Sequence, residues 1–162
     1  MNQIEIPAAF YRGGTSKGVF FHKKDLPEGR ERQNEIFLRV IGSPDPYRRQ
    51  LNGMGGGISS LSKIVIISPT SKDHADVNYT FAQVSVDQPI VDYNTNCGNL
   101  SSAVGPFAID EGLLRLKKNE GINTIRLHNT NTGVIIHAHV PVIGGKAAVT
   151  GKCQIQGVHG TG

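Results

Sequence analysis

Tryptophan is absent, and only two cysteines and two methionines occur in 162 residues. Two cysteines, Cys97 and Cys153, cannot build the multi-bridge framework of a small secreted domain. A reducing, cytoplasmic setting is the simplest one for them. No long apolar run is present. The longest aliphatic stretch is Ile64 to Ile67, far short of the roughly 20 residues of a membrane helix. The opening residues carry no basic lead into an apolar segment, so no secretory signal is read there. The nucleotide fingerprint G-x-G-x-x-G, the Walker order, the G-x-S-x-G elbow and C-x-x-C are all missing. No bound nucleotide, hydrolase elbow or dithiol centre is therefore expected.

Charge is modest and uneven. The formal net charge is +4. Residues 1–72 hold 11 Lys+Arg against 6 Asp+Glu, and residues 73–162 hold 6 against 7. The basic excess lies in the first part and is interspersed with acids. No basic stripe alternates with aromatics, so a nucleic-acid partner is not expected. A few cations among glycines fit a small anionic substrate. With 38% hydrophobic and 19% charged residues, the composition is that of a globular domain, not a disordered chain. A chain of this length can bury roughly 70% of its extended surface.

Glycine is plentiful, at 20 residues, and clustered. Gly13-Gly14, Gly53, Gly55-Gly56-Gly57 and Gly144-Gly145 lie between apolar runs, where tight loops or close backbone approach need them. Most other segments read as strands. Ile4 to Ile6 and Val19 to Phe21 flank the loop Arg12–Gly18. Ile36, Phe37, Val40 and Ile41 recur at helical spacing behind charged residues, which predicts a surface helix over 30–41, ended by Gly42, Pro44 and Pro46. A buried strand is expected over 59–68. Val77, Tyr79 and Phe81 alternate, and Val84 and Val86 follow on the other phase, so a bulge is expected near Gln83. Residues 99–116 are apolar nearly all round, which predicts a buried helix kinked by Pro106. Residues 122–127 and 133–142 form a hairpin, and 147–155 a last strand. The sum is an α+β domain of strands around one buried helix. The ending, Val158 to Gly162, has the composition of a linker at which a longer chain was cut.

Three segments can carry chemistry. In Asn96-Cys97-Gly98-Asn99 the thiol precedes a helix start, where free N–H groups hold anions and favour thiolate. The same residues also fit a small buried hydrophobe between capping asparagines. In Gly55 to Lys63 a glycine loop enters an apolar strand at Ser62-Lys63. A desolvated lysine is a usable base, and a lysine at a strand entry can equally reach out to water. Arg12 to Gly18 can cradle an anion through Thr15, Ser16 and Lys17, or can be a plain hairpin turn. His137 and His139 share one strand face and lack a third ligand nearby, which leaves a solvated face as the simpler reading.

Arg12-Gly-Gly-Thr-Ser-Lys-Gly18, Gly53-Met-Gly-Gly-Gly57 with Ser62-Lys63, and Asn96-Cys-Gly-Asn-Leu-Ser101 occur in that order. Val40-Ile-Gly-Ser-Pro-Asp-Pro-Tyr47, Phe81-Ala-Gln-Val-Ser-Val-Asp87 and Phe107-Ala-Ile109 connect them. Together they resemble the PrpF family of 2-methylaconitate cis-trans isomerases, related to methylitaconate isomerase and 4-oxalomesaconate tautomerase. The resemblance covers nearly the whole chain. It implies a diaminopimelate epimerase-like fold of two similar halves, each a β-barrel wrapped around a central helix, with the active site between them. Residues 1–162 then correspond to the N-terminal half, with the C-terminal half as its missing partner. The resemblance assigns Lys63 as catalytic base and acid, and Cys97 as the thiol beside the substrate. It assigns Thr15, Ser16, Lys17, Ser62, Asn96, Gly98 and Asn99 to substrate binding. It implies a small tri- or dicarboxylate ligand, no cofactor, no metal, no membrane and a possible homo-oligomer. The sequence departs from the family pattern at Pro106, where a small residue is usual, and at Asn52, where an acid is common. A carboxylate-binding or aconitase-partner module, and an amino-acid racemase, are the other expectations. A racemase would need a second cysteine from across the cleft.

Overall fold

The computed structural model describes residues 3–160. The last two residues of the linker-like ending lie outside the described residues. One mixed sheet runs through the chain. It consists of β1 (Ala9–Gly13), β2 (Ser16–His22), β3 (Lys63–Pro69), β4 (Val77–Val84), β5 (Val91–Asp92), β6 (Gly121–Asn129), β7 (Ile135–Ile143) and β8 (Lys146–Ala147). Their order is β1-β2-β3-β4-β6-β7-β8, with β5 paired to β4. Helix α1 spans Arg30–Ile41, as its apolar period predicts, and stops at Gly42, whose φ of 83° closes the helix in the left-handed region. Among the described residues, no helix is long and apolar enough to cross a membrane.

The sheet curls around two short helices, α2 (Gly98–Ser101) and α3 (Val104–Asp110). Phe20, Val65, Tyr79, Phe81, Leu127, Val140 and Ala147 come from six strands, and they bury against Leu100, Val104, Phe107 and Ala108 of these helices. The expected α+β arrangement of strands wrapped around a central helical element is therefore present, as a curled sheet around two short helices. The Phe107 ring packs between Tyr11 and Phe20, at centroid distances of 5.9 and 5.6 Å. On the outer face, α1 closes a second core of Val19, Phe21, Phe37, Ile41, Ile64, Ile66, Ala82 and Val84.

This second core corrects the bulge. β3 and β4 pair without interruption from Lys63 opposite Gln83 to Pro69 opposite Val77. The phase change arises because β4 is buried on both faces: Val77, Tyr79 and Phe81 face α2 and α3, while Ala82 and Val84 face α1. The single helix over 99–116 is also corrected. The chain breaks near Ala103 and leaves the helix after Asp110. Pro106 sits in the first turn of α3, where its missing N–H costs no helical bond. Residues Ile4 to Ile6 form no strand, 59–61 form a short 3₁₀ turn before β3, and the last strand is two residues long rather than nine. The hairpin matches its expected position, with β6 and β7 in register from Gly121–Val142 to His128–Ile135.

Candidate active site

Parity along the strands decides which side chains meet. Lys63 opens β3, lies opposite Gly18 of β2 and Gln83 of β4, and shares its face with Val65 and Ile67 of the inner core. Its residue is only 8% exposed. Nζ donates to Gln83 Oε1 at 2.6 Å and stands 5.0 Å from the Phe81 ring centroid. Burial pushes the Lys63 pKa below the ordinary 10.5, and the neighbouring Cys97 sulfur opposes that shift. A partly desolvated amine facing a thiol is a recognisable functional arrangement.

Cys97 is brought there by the start of α2. It is the N-cap: its Sγ accepts from Leu100 N at 3.4 Å, and its carbonyl accepts from Ser101 N at 3.0 Å. The thiol also donates to Ser16 Oγ at 3.7 Å. α2 is only four residues long, so its start offers free N–H groups rather than a long dipole. Among the described residues the N–H groups of Gly98 and Asn99 meet no acceptor, and a Cβ placed on Gly98 would meet open space. Removing the cap has a measurable cost. Cys97→Ala should lower stability by about 1 kcal/mol in urea unfolding, whereas Cys97→Ser keeps an acceptor and should lose less.

The β1–β2 turn forms the other side of the shelf. Asn99 Nδ2 donates to Thr15 Oγ1 at 3.0 Å. The two segments touch because Gly13 and Gly14 have no side chains. A Cβ on Gly13 would lie 2.5 Å from Asn99 O, and one on Gly14, whose φ is 53°, would collide with the Asn99 side chain. Asn96 is exposed but anchored: its Oδ1 accepts from Tyr79 OH at 3.2 Å and from Asn129 Nδ2 at 3.1 Å. Lys63, Cys97, Ser16, Thr15, Gly98, Asn99 and Asn96 thus border one open shelf at the end of the inner core.

Two expected residues fall elsewhere. Lys17 has the opposite parity to Ser16 and lies over the Phe10 ring, at 5.4 Å from its centroid. Ser62 is fully buried, with its hydroxyl 2.8 Å from two acceptors, Gln50 Oε1 and Ile58 O. The Gly53–Gly57 tract does not line the shelf either. Gly57 N donates to Gln50 Oε1 at 2.8 Å, and Gly55 N to Ile41 O at 3.0 Å. The tract folds the chain tightly onto α1 and Gln50 before it enters β3. His137 and His139 are exposed on β7, and no metal-holding cluster occurs among the described residues. Cys153 is exposed in a loop. Gln83, Tyr79 and Asn129 complete the site without having been singled out in the sequence. Their roles follow from cross-strand register, which no short motif encodes.

Comparison with known proteins places the chain among relatives. A family model described as PrpF protein matches residues 3–162. The chain is 49% identical over 162 residues to a 2-methyl-aconitate isomerase of Cupriavidus necator, covering 96% of this chain and 41% of that protein. It is 49% identical over 160 residues to a 3-methylitaconate isomerase of Eubacterium barkeri, covering 99% of this chain and 41% of that one. The crystal structure of a methylitaconate-delta-isomerase superposes with a TM-score of 0.90 at 48% identity, over 96% of this chain and 39% of that one. The chain therefore spans about two fifths of the length of the relatives it matches. A family-model match over residues 3–162, with relatives at about half identity across nearly the whole chain, leads to one conclusion: the chain belongs to the PrpF family.

Proposed function

We propose that this chain is the N-terminal half of a two-domain, cofactor-independent isomerase acting on an unsaturated tricarboxylate of the 2-methylaconitate type, in the cytoplasm. The observation that carries this is a buried amine, Lys63, set beside Cys97 at a shelf of hydroxyls, amides and free N–H groups. The support from relatives is that proteins named as isomerases of 2-methyl-aconitate and 3-methylitaconate are 49% identical to this chain over the aligned residues.

The reaction is a one-proton allylic shift. An allylic C–H beside an unsaturated carboxylate is weakly acidic, because its electron pair spreads through the double bond into the carboxylate. Neutral Lys63 takes that proton: the C–H bond breaks and an N–H bond forms. The extended enolate has single-bond character where the double bond was, so the carbons can rotate. Lys63 then returns the proton to one end of the allylic system, and the double bond settles in its new position or geometry. Charge develops on the carboxylate oxygens, and the N–H groups of Gly98 and Asn99 with Thr15 and Ser16 are placed to hold them. Cys97, beside the amine, shapes this end of the shelf and carries a second exchangeable proton. A base, a proton donor and anion-holding groups suffice, so the step calls for no metal, flavin or nucleotide.

The chain provides one wall of the shelf. By itself it should bind carboxylates weakly and turn nothing over. Adding trans-aconitate at millimolar concentration should shift the amide resonances of Thr15, Ser16, Gly98 and Asn99 together with the Lys63 side chain. Shifts confined to other surfaces, with these residues unmoved, would remove the shelf as the carboxylate site.

A further inference from the structure

We propose that Gln83 is the positioning residue for Lys63, holding its amine by a carboxamide that the surrounding backbone prevents from turning over. The inference rests on Lys63 being the proton-transferring group. The contact is short, with Lys63 Nζ 2.6 Å from Gln83 Oε1. What makes it directional is the other end of the amide. Gln83 Nε2 has two hydrogens, which face Ser62 O at 2.9 Å and Ser59 O at 3.0 Å, with Val84 O also near at 3.3 Å. A flipped amide would set Oε1 against three carbonyl oxygens and its NH₂ against the amine, so the hydrogen-bond network admits one orientation.

The consequence concerns where the amine aims. Nζ is tetrahedral, and one position is taken by its own chain and one by the Gln83 bond. Two remain, for the side of Cys97 and for the open shelf. A neutral Lys63 held this way presents its lone pair to a ligand rather than sweeping through its rotamers. The surroundings add little else. β2 contributes Gly18, β4 contributes Phe81 and Gln83, and the turn before α2 contributes Cys97, the one titratable group that faces the amine among the described residues. Tyr79, further along β4, spends its hydroxyl on Asn96. The Gln83 oxygen therefore favours the ammonium form, against burial, and keeps Lys63 from losing its proton too readily to act as donor in the second half-reaction.

Carbon-detected NMR of this chain, without substrate, tests the coupling directly. Lys63 Cε and the Gln83 carboxamide carbon should titrate at one common pH midpoint, and the Gln83 response should vanish in Lys63→Met. In Gln83→Met, close in volume and lacking the acceptor, the Lys63 midpoint should fall by about 1–2 pH units. In the complete two-half protein the same variant should lower kcat about tenfold or more with KM little changed. A Gln83 carbon that stays flat through the Lys63 titration overturns the proposal, as does an unmoved Lys63 midpoint in a folded Gln83→Met. If that variant does not fold, the wild-type co-titration decides. Because these readouts need no turnover, a failure of the isomerase reading appears separately, as absent deuterium uptake into substrate.

Discussion

Replacing Lys63 with alanine should slow isomerisation by about 10²–10⁴-fold in the complete two-half protein while leaving the fold intact, as judged by circular dichroism and the melting transition. The size follows from the role: no second amine faces the shelf among the described residues, since Lys17 lies on the other face of β2. The fold should survive because the side chain reaches the rim of the inner core rather than its centre, and its truncation removes a costly buried cation. The pH profile carries the sign. The base must be neutral, so the rate should rise with pH through the Lys63 midpoint. That midpoint should lie below the ordinary lysine value of 10.5, because burial disfavours the ammonium more strongly than Cys97 favours it. A rising limb centred at or above the ordinary value would place the amine in water. Near-normal turnover in Lys63→Ala would take Lys63 out of the reaction.

Gly13→Ala should damage both the fold and the site with a single methyl group. The added carbon would lie 2.5 Å from Asn99 O and 2.9 Å from Leu100 Cα. Both are backbone atoms of α2, which cannot swing aside as a flexible side chain could. The expected loss is about 1–3 kcal/mol of stability, read by urea denaturation. The expected site effect is larger, because the wedge separates Thr15 and Ser16 from Asn99 and Cys97. Substrate binding should weaken even at temperatures where the variant is fully folded. Gly98→Ala is the control. Its methyl group meets no atom of this chain, so its stability should stay within about 0.5 kcal/mol, and any effect on binding reports a ligand over that position.

The surface helix was legible from its period because one face of α1 meets a core and the other meets water, and it spans Arg30–Ile41 as read. The hairpin of β6 and β7 was legible for a similar reason. The strand β4 was misread because alternation presumes one buried face, and α1 buries the other. The helix at 99–116 was overextended because apolar content persists through Leu113, Leu114 and Leu116, which pack on the core from irregular backbone. Of the residues that the motifs single out, folding brings Lys63, Cys97, Thr15, Ser16, Asn96, Gly98 and Asn99 to one shelf. Lys17 and Ser62 came with their motifs but point elsewhere, since neighbours along a strand face opposite ways. Gln83 and Tyr79 read only as strand residues, because their partners, Lys63 and Asn96, lie 20 and 17 residues away. Only the register of β3 on β4 and the course of the chain into α2 bring them together.

The most direct measurement is solvent-to-substrate hydrogen exchange. The complete protein is incubated with 2-methylaconitate or trans-aconitate in D₂O and the ligand is followed by proton NMR. Deuterium should enter at the allylic carbon at a rate comparable to isomerisation, and this exchange should disappear in Lys63→Ala. Tight binding of the tricarboxylate with no deuterium uptake would instead make the shelf a carboxylate-holding surface without proton-transfer chemistry.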